Sequence, residues 1–126
     1  MENKITCSLE DYLEAIYFLQ EKNIEVRVTD LADKLNISKP SVNRAINNLK
    51  KQNLVEHENY GLLKLTEKGL AFAKNIAMRH IVLKKFLHDL LGVDKEVAEI
   101  EACNIEHSVC NDTICKLQKY LKKVGL

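Results

Sequence analysis

Hydrophobic and polar positions alternate with a helical period over most of the chain. Over residues 9–22, Leu9, Tyr12, Leu13, Ile16, Tyr17 and Gln20 fall on one face, and Ser8 stands before them as an N-cap with Asp11 at the capping-box position. The opposite face carries Asp11, Glu14 and Phe18. A phenylalanine there implies that this second face also packs, which sets two carboxylates beside a buried seam. Thr29 is placed to cap a short helix with Leu31, Ala32 and Leu35 inward, Asn36 suits a left-handed turn, and Ser38 caps the next helix. That helix runs over residues 39–53, with Pro40 in its first turn and Val42, Ile46 and Leu49 toward the core. A short helix, a tight turn and a second helix with its own cap make a helix-turn-helix. Residues 54–57 and 62–66 then read as two short strands around Asn59-Tyr60-Gly61, which completes a winged helix.

Thr66 opens a long helix that Gly92 ends near Leu91, with Ile76, His80, Leu83 and Leu87 on one stripe and His88 read as surface. Asp94 caps a further helix carrying residues 99–110, and Asn111 or Asp112 caps a last one with Ile114, Leu117, Tyr120, Leu121 and Val124. The fold class is mainly α. An N-terminal winged helix-turn-helix over residues 1–70 is followed by an all-helical domain over 71–126. The apolar stripes of the long helix and the last helix exceed what so small a core would use, so self-association as a two-fold homodimer is expected.

Composition narrows the function. The chain has 126 residues, 46% of them hydrophobic, enough for a real core, and its net charge is only +1, so it is no polycation. A nucleic-acid role must rest on a local basic surface. The second helix of the helix-turn-helix supplies one: between Ser38 and Asn53 lie Lys39, Arg44, Lys50 and Lys51 and no acidic residue. Pro40, Ser41, Asn43 and Asn47 share its outer side, short polar groups able to reach base edges while the cations bind guanine or phosphate. Tyr60 and Lys64 of the wing are further candidate phosphate contacts. No apolar run reaches the ~18 residues of a membrane span and no signal-peptide pattern opens the chain. The four cysteines form no CxxC, so a cytoplasmic protein with reduced thiols is expected.

The chemistry concentrates in residues 99–110, EIEACNIEHSVC. At 100° per residue, Glu99, Cys103, Glu106, His107 and Cys110 share a sector of roughly 100°, beside an apolar sector with Ala98, Ala102, Ile105 and Val109. Carboxylates, an imidazole and thiols on one face are the donors that hold a divalent transition metal. A solvated polar face that happens to contain a Cys and a His would give the same spacing. A lone histidine on an apolar stripe, as His80 is, is more often a satisfied core histidine than a ligand.

Several stretches together carry a family resemblance: Ser8-Leu9-Glu10-Asp11-Tyr12-Leu13-Glu14-Ala15-Ile16-Tyr17, Ser38-Lys39-Pro40-Ser41-Val42, Arg79-His80, and Glu101-Ala102-Cys103-Asn104-Ile105-Glu106-His107. In these and in the order of its elements the chain resembles the diphtheria-toxin-repressor family of metal-dependent transcriptional regulators, including its manganese-transport-regulator branch, over nearly its whole length. The resemblance implies metal ligands at Asp11, Glu14, His80, Cys103, Glu106 and His107. It also implies a regulator rather than an enzyme, a repressor of metal-uptake genes, and a homodimer on a palindromic operator in double-stranded DNA. Asp11 matches the manganese branch, whereas Cys103 matches iron-responsive members. A thiolate favours softer ions, so Fe²⁺ is slightly preferred over Mn²⁺. Lys84 stands where many members have a glutamate ligand to a second ion, which argues against a full second site, although Glu99 could supply one ligand there. The resemblance covers the short form, without the SH3-like domain of longer members.

The implied mechanism joins Asp11 and Glu14 to the other four ligands through the ion and so fixes the spacing of the two recognition helices, ~34 Å for one DNA turn. One competing reading keeps the winged helix but makes it answer to thiol oxidation, although Cys103 and Cys110, two turns apart on one helix, lie about 10 Å apart, too far for an unstrained disulfide. A metallohydrolase would need an open coordination position and a general base that the sequence does not supply. Metal storage would leave the basic helix unexplained.

Overall fold

The structure, a computed structural model, describes residues 7–58 and 61–126. Among the described residues, six helices and a two-stranded sheet follow one another as α1 (Cys7–Glu21), α2 (Val28–Leu35), α3 (Lys39–Lys51), β1 (Val55–His57), β2 (Leu63–Leu65), α4 (Glu67–Lys84), α5 (Lys95–Ile105) and α6 (Asn111–Lys123). The chain is mainly helical, as its periodicity requires. It forms two compact units, Met1–Lys74 and Asn75–Leu126.

In the first unit, α1, α2 and α3 pack with the hairpin. Leu13, Ile16, Leu31, Val42, Ile46, Leu49 and Leu54 are fully buried, as the 3.6-residue spacing demands. α1 begins at Cys7, so Ser8 lies inside its first turn instead of at its cap. α2 likewise starts at Val28, two residues earlier than a cap at Thr29 would allow. Asp30 in its first turn takes over the capping, accepting the Arg27 backbone N–H at 2.8 Å. Asn36 adopts φ 55° and ends α2 in the left-handed region. Ser38 caps α3 as expected, its Oγ accepting the Ser41 N–H at 3.3 Å. α3 stops at Lys51, two residues short of the sequence expectation, and Asn53 turns the chain with φ 61°. The strands are antiparallel, with Val55, Glu56 and His57 opposite Leu65, Lys64 and Leu63, and Val26 adds a bridge to Leu63.

The entry to α4 is locked by three hydrogen bonds. Thr66 N–H reaches Leu54 O at 3.0 Å, its hydroxyl donates to Asn53 O at 2.7 Å, and the same oxygen accepts Gly69 N–H at 2.9 Å. Gly69 has no room for a side chain, since a Cβ there would sit 1.9 Å from Leu54 O.

In the second unit the long helix changes its winding. From Lys85 to Leu90 it is a π-helix, and Leu91 N–H bonds Phe86 O, five residues back, at 3.1 Å. Gly92, at φ 78°, then ends it where the sequence places the stop. His88, expected on the surface, is half-buried and donates its Nδ1–H to Val93 O at 2.8 Å, closing the helix end. Both α5 and α6 contact this π segment, around Val82, Leu83, Leu87, Ala98, Ala102, Ile114 and Leu121.

The single helix expected through Cys110 is two elements. α5 ends at Ile105, Glu106 and His107 occupy the following turn, and Cys110 becomes the N-cap of α6. A continuing helix would need Glu106 O for residue 110; Arg79 Nη1 takes that carbonyl at 3.0 Å, while Ser108 N–H bonds Ile105 O at 2.8 Å in a tightened last turn. Asn111, expected as a cap, instead accepts Arg79 Nη2 on its side chain at 3.0 Å.

Candidate metal centre and nucleic-acid interface

α4, α5 and the turn after α5 bring four predicted ligands of the second unit together. Cys103 Sγ, a Glu106 carboxylate oxygen and a His107 ring nitrogen lie within 4.8 Å of one another, and His80 Nδ1 stands 2.7 Å from Glu106 Oε1. They converge because Cys103 sits in the last turn of α5, while the turn held by Arg79 swings Glu106 and His107 onto the same side. Arg79 itself is steadied by Asn75 Oδ1, which accepts its Nε–H at 3.1 Å.

Glu106 is the most informative member. It is 0% exposed, and a buried carboxylate must be paired or hydrogen-bonded to be tolerated. Oε1 meets His80, but among the described residues Oε2 has no hydrogen-bond partner, and His107 Nε2 lies 3.6 Å from it. A buried acceptor left in this condition calls for an ion. The donor set of thiol, carboxylate and two imidazoles suits a divalent transition metal, so these residues fit one.

His80 is 12% exposed and has a carboxylate at each ring nitrogen, Glu106 at Nδ1 and Glu99 Oε2 at Nε2, both at 2.7 Å. Glu99 turns its other oxygen to Lys84 Nζ at 2.9 Å. The hydrogen bond from Lys84 is the main reason that the Glu99 carboxyl is held below the usual carboxylate range. On α1, Asp11 is half-buried and Glu14 only 8% exposed, unusual burial for a helix carboxylate. Cys110, predicted on the same face as the ligands, is on the surface at the α6 cap, where hydrogen bonds from Thr113 lower its thiol pKa. Cys103, Cys110 and Cys115 are in no disulfide.

The outer side of α3 is built as the sequence predicts. Lys39, Pro40, Asn43, Arg44, Asn47, Lys50 and Lys51 are all exposed. Ser41 is half-buried and its hydroxyl oxygen accepts from Ser38 Oγ at 2.9 Å and Arg44 Nη2 at 3.3 Å, so it orients the arginine at the helix start. Lys50 Nζ stands 3.3 Å from His57 Nδ1 on the hairpin, so that the imidazole accepts and carries its proton on Nε2. In the wing, Lys64 pairs loosely with Glu58 at 3.8 Å, and Tyr60 lies outside the described residues. One position escaped sequence reasoning: Arg79 entered only as part of a motif. An arginine directly before a candidate ligand was the one available signal for it.

Known proteins agree with both units. Residues 4–63 match the family model described as "Iron dependent repressor, N-terminal DNA binding domain", and residues 66–125 match "Iron dependent repressor, metal binding and dimerisation domain". An HTH-type transcriptional regulator of Methanocaldococcus jannaschii is 38% identical over 117 residues, covering 92% of this chain and 94% of its own. The HTH-type transcriptional regulator MntR of Bacillus subtilis is 36% identical over 112 residues, covering 89% of this chain and 78% of its own. The solved structure of the manganese regulator SloR superposes with a TM-score of 0.83 at 29% identity, over 94% of this chain. The chain spans about half the length of that protein, 55% of it. The matched proteins are regulators, not hydrolases, which removes the metallohydrolase reading. With a DNA-binding unit, a metal-binding and dimerisation unit and relatives of this kind, the chain belongs to the iron-dependent repressor family of metal-dependent transcriptional regulators.

Proposed function

We propose that this regulator takes a divalent metal at His80, Cys103, Glu106 and His107, with Asp11 and Glu14 of α1 completing the set. The observation that carries this is the convergence of Cys103, Glu106 and His107 ligand atoms within 4.8 Å, together with a buried Glu106 whose Oε2 has no hydrogen-bond partner among the described residues. The assignment of Asp11 and Glu14 is supported by the family resemblance. When bound, a divalent cation supplies the positive charge that so many carboxylates need in order to share one place. Glu106 and His107 hold their positions because Arg79 holds their turn, and Cys103 contributes the soft donor. That thiolate favours Fe²⁺, with Mn²⁺ the alternative that the aspartate and glutamates favour.

The partner is double-stranded DNA. Arg44, Lys39, Asn43 and Asn47 at the start and middle of α3 are assigned to base edges, with Lys50, Lys51 and Lys64 on phosphates. The protein acts as a homodimer: Ile81, Leu91, Val97, Ile100, Tyr120 and Val124 of the second unit are each at least 44% exposed, more apolar surface than a lone unit of this size should leave in water. A two-fold dimer reads a palindrome when its recognition helices are about one DNA turn apart, ~34 Å. Metal and DNA binding are then coupled, by about 1–3 kcal/mol in typical cases. Metal-uptake genes are the targets, repressed in the metal-loaded state, and the protein works in the cytoplasm. Among the described residues no helix is long and apolar enough to cross a membrane.

The test is selection from a mixed pool of duplex DNA under anaerobic conditions, with chelator, Fe²⁺ or Mn²⁺. Enrichment of one palindrome only with metal is expected, more strongly with Fe²⁺. Equal selection in chelator would remove the metal from the mechanism and leave a winged-helix regulator.

A further inference from the structure

Lys84, Glu99, His80 and Glu106 form a row in which basic and acidic side chains alternate. Lys84 stands one helical turn beyond His80 on α4, and Glu99 of α5 lies between them, with Oε1 2.9 Å from the ammonium and Oε2 2.7 Å from His80 Nε2. Seen from a metal ion, Glu99 and His80 Nε2 are half of a site: a carboxylate and an imidazole nitrogen pointing at one another from two helices. What closes that half-site is already a cation, tethered to the chain.

We infer that Lys84 serves as a built-in cation that takes the place of a second metal ion on Glu99 and His80, so that the chain carries a single ion, and that Glu99 positions His80 instead of ligating metal. The inference rests on the metal centre proposed above and sets its stoichiometry. Both Glu99 oxygens are engaged, so an ion arriving there would have to displace the ammonium or lie against its like charge. The surroundings oppose it too. The adjoining cleft, about 490 Å³, is lined by Lys84, Lys85 and Lys95, with Asp89 its one carboxylate. Glu99, accepting at Nε2, leaves Nδ1 as the nitrogen that His80 turns toward Glu106. A carboxylate holding the far nitrogen of a ligating histidine in this way is a common support for a metal site. Lys84 is therefore a specificity-determining residue for the number of ions, and Glu99 a positioning residue.

Equilibrium dialysis against Mn²⁺ with metal analysis, on the full chain and on Lys84→Glu and Lys84→Ala, tests this. Thermal melting of each variant checks the fold. The wild type should hold about one Mn²⁺ per chain, and Lys84→Glu, which exchanges the ammonium for a carboxylate, about two. Lys84→Ala should gain the second ion more weakly, and it decides the matter should Lys84→Glu fold poorly. Two ions in the wild type, or one ion in both folded variants, would overturn the inference while leaving the metal centre standing. No ion in any form would remove the metal centre, and the inference with it.

Discussion

Arg79 donates Nη1 to the main-chain oxygen of Glu106 at 3.0 Å. An arginine thus occupies the carbonyl at which α5 would otherwise have continued, and the buried carboxylate of the same glutamate is left at the centre of the donor cluster. With Asn75 and Asn111 taking its other nitrogens, the guanidinium joins α4, the turn after α5 and the start of α6. Arg79→Ala should lower metal affinity by about 10–100-fold, the usual cost of losing a support behind a metal ligand. Titration with Mn²⁺, alongside far-UV circular dichroism to confirm retained helix, would measure it. Unchanged affinity would mean that the turn holds its form without the arginine.

Cys103 decides between metals. Cys103→Ala should reduce the stimulation of DNA binding by metal, removing much of a coupling worth about 1–3 kcal/mol, with the fold intact. Cys103→Glu should shift preference from Fe²⁺ toward Mn²⁺. Anaerobic fluorescence anisotropy with a labelled operator reads both. Full stimulation in the alanine variant would take Cys103 out of the site.

Arg44 belongs to DNA binding alone. Arg44→Ala should weaken operator binding at saturating metal by about 1–3 kcal/mol if it reads a base, or lower the salt dependence by about one phosphate if it does not. Metal affinity should stay as it is. A parallel loss of metal binding would contradict the separation of the two roles.

His57 should titrate below the ordinary histidine value of 6.5, because partial burial and, secondarily, the Lys50 ammonium disfavour its charged form. A histidine depressed in the folded state binds fewer protons than in the unfolded chain. Its contribution to stability is therefore full above pH 6.5 and is lost as pH falls through the folded pKa. An NMR titration of the imidazole should give a midpoint under 6.5 that Lys50→Gln raises. A midpoint that Lys50→Gln leaves in place would rule out the contact.

Gly69 is fixed by contact. Placing a Cβ 1.9 Å from Leu54 O forces backbone apart at the junction of the hairpin and α4. Gly69→Ala should destabilise the first unit by about 1–3 kcal/mol, the range for overpacking, in spite of alanine's better helix propensity. Chemical denaturation would show it as a lower midpoint with an unchanged slope.

Periodicity revealed the helices, the helix-turn-helix and the hairpin because each needs only local information: Leu31, Val42, Ile46 and Leu49 are buried where a 3.6-residue repeat places them. Caps were legible where the side chain bonds its own helix, as with Ser38, and misread where a neighbour did the work, as with Thr29 and Asp30. Residues 99–110 were harder. Their donors could be recognised as metal-binding by residue type, but a helical wheel kept Cys110 with them and could not see the break at Glu106. That break is made by Arg79, 27 residues away in sequence, and no local pattern encodes it. Lys84 could be seen to be out of place and Glu99 set near it, though the ion pair between them needed the fold.

The π-helical stretch from Lys85 to Leu90 has a consequence for how this sequence can vary. A wider turn accommodates one residue more than an α-helix would over the same rise, so the stretch amounts to an insertion carried inside an unbroken helix. His80 and Leu87 therefore belong to two different angular frames, and a gap-free alignment of this helix with an all-α counterpart would misassign side chains on one side of the slip. Removing one residue between Lys85 and Leu90 would tighten the winding and rotate the helix end by about 100° against everything before it, carrying His88 away from Val93 and unsettling the start of α5. Relatives that differ by one residue here should thus differ in how the end of this helix meets α5 and α6, even where every candidate ligand is the same.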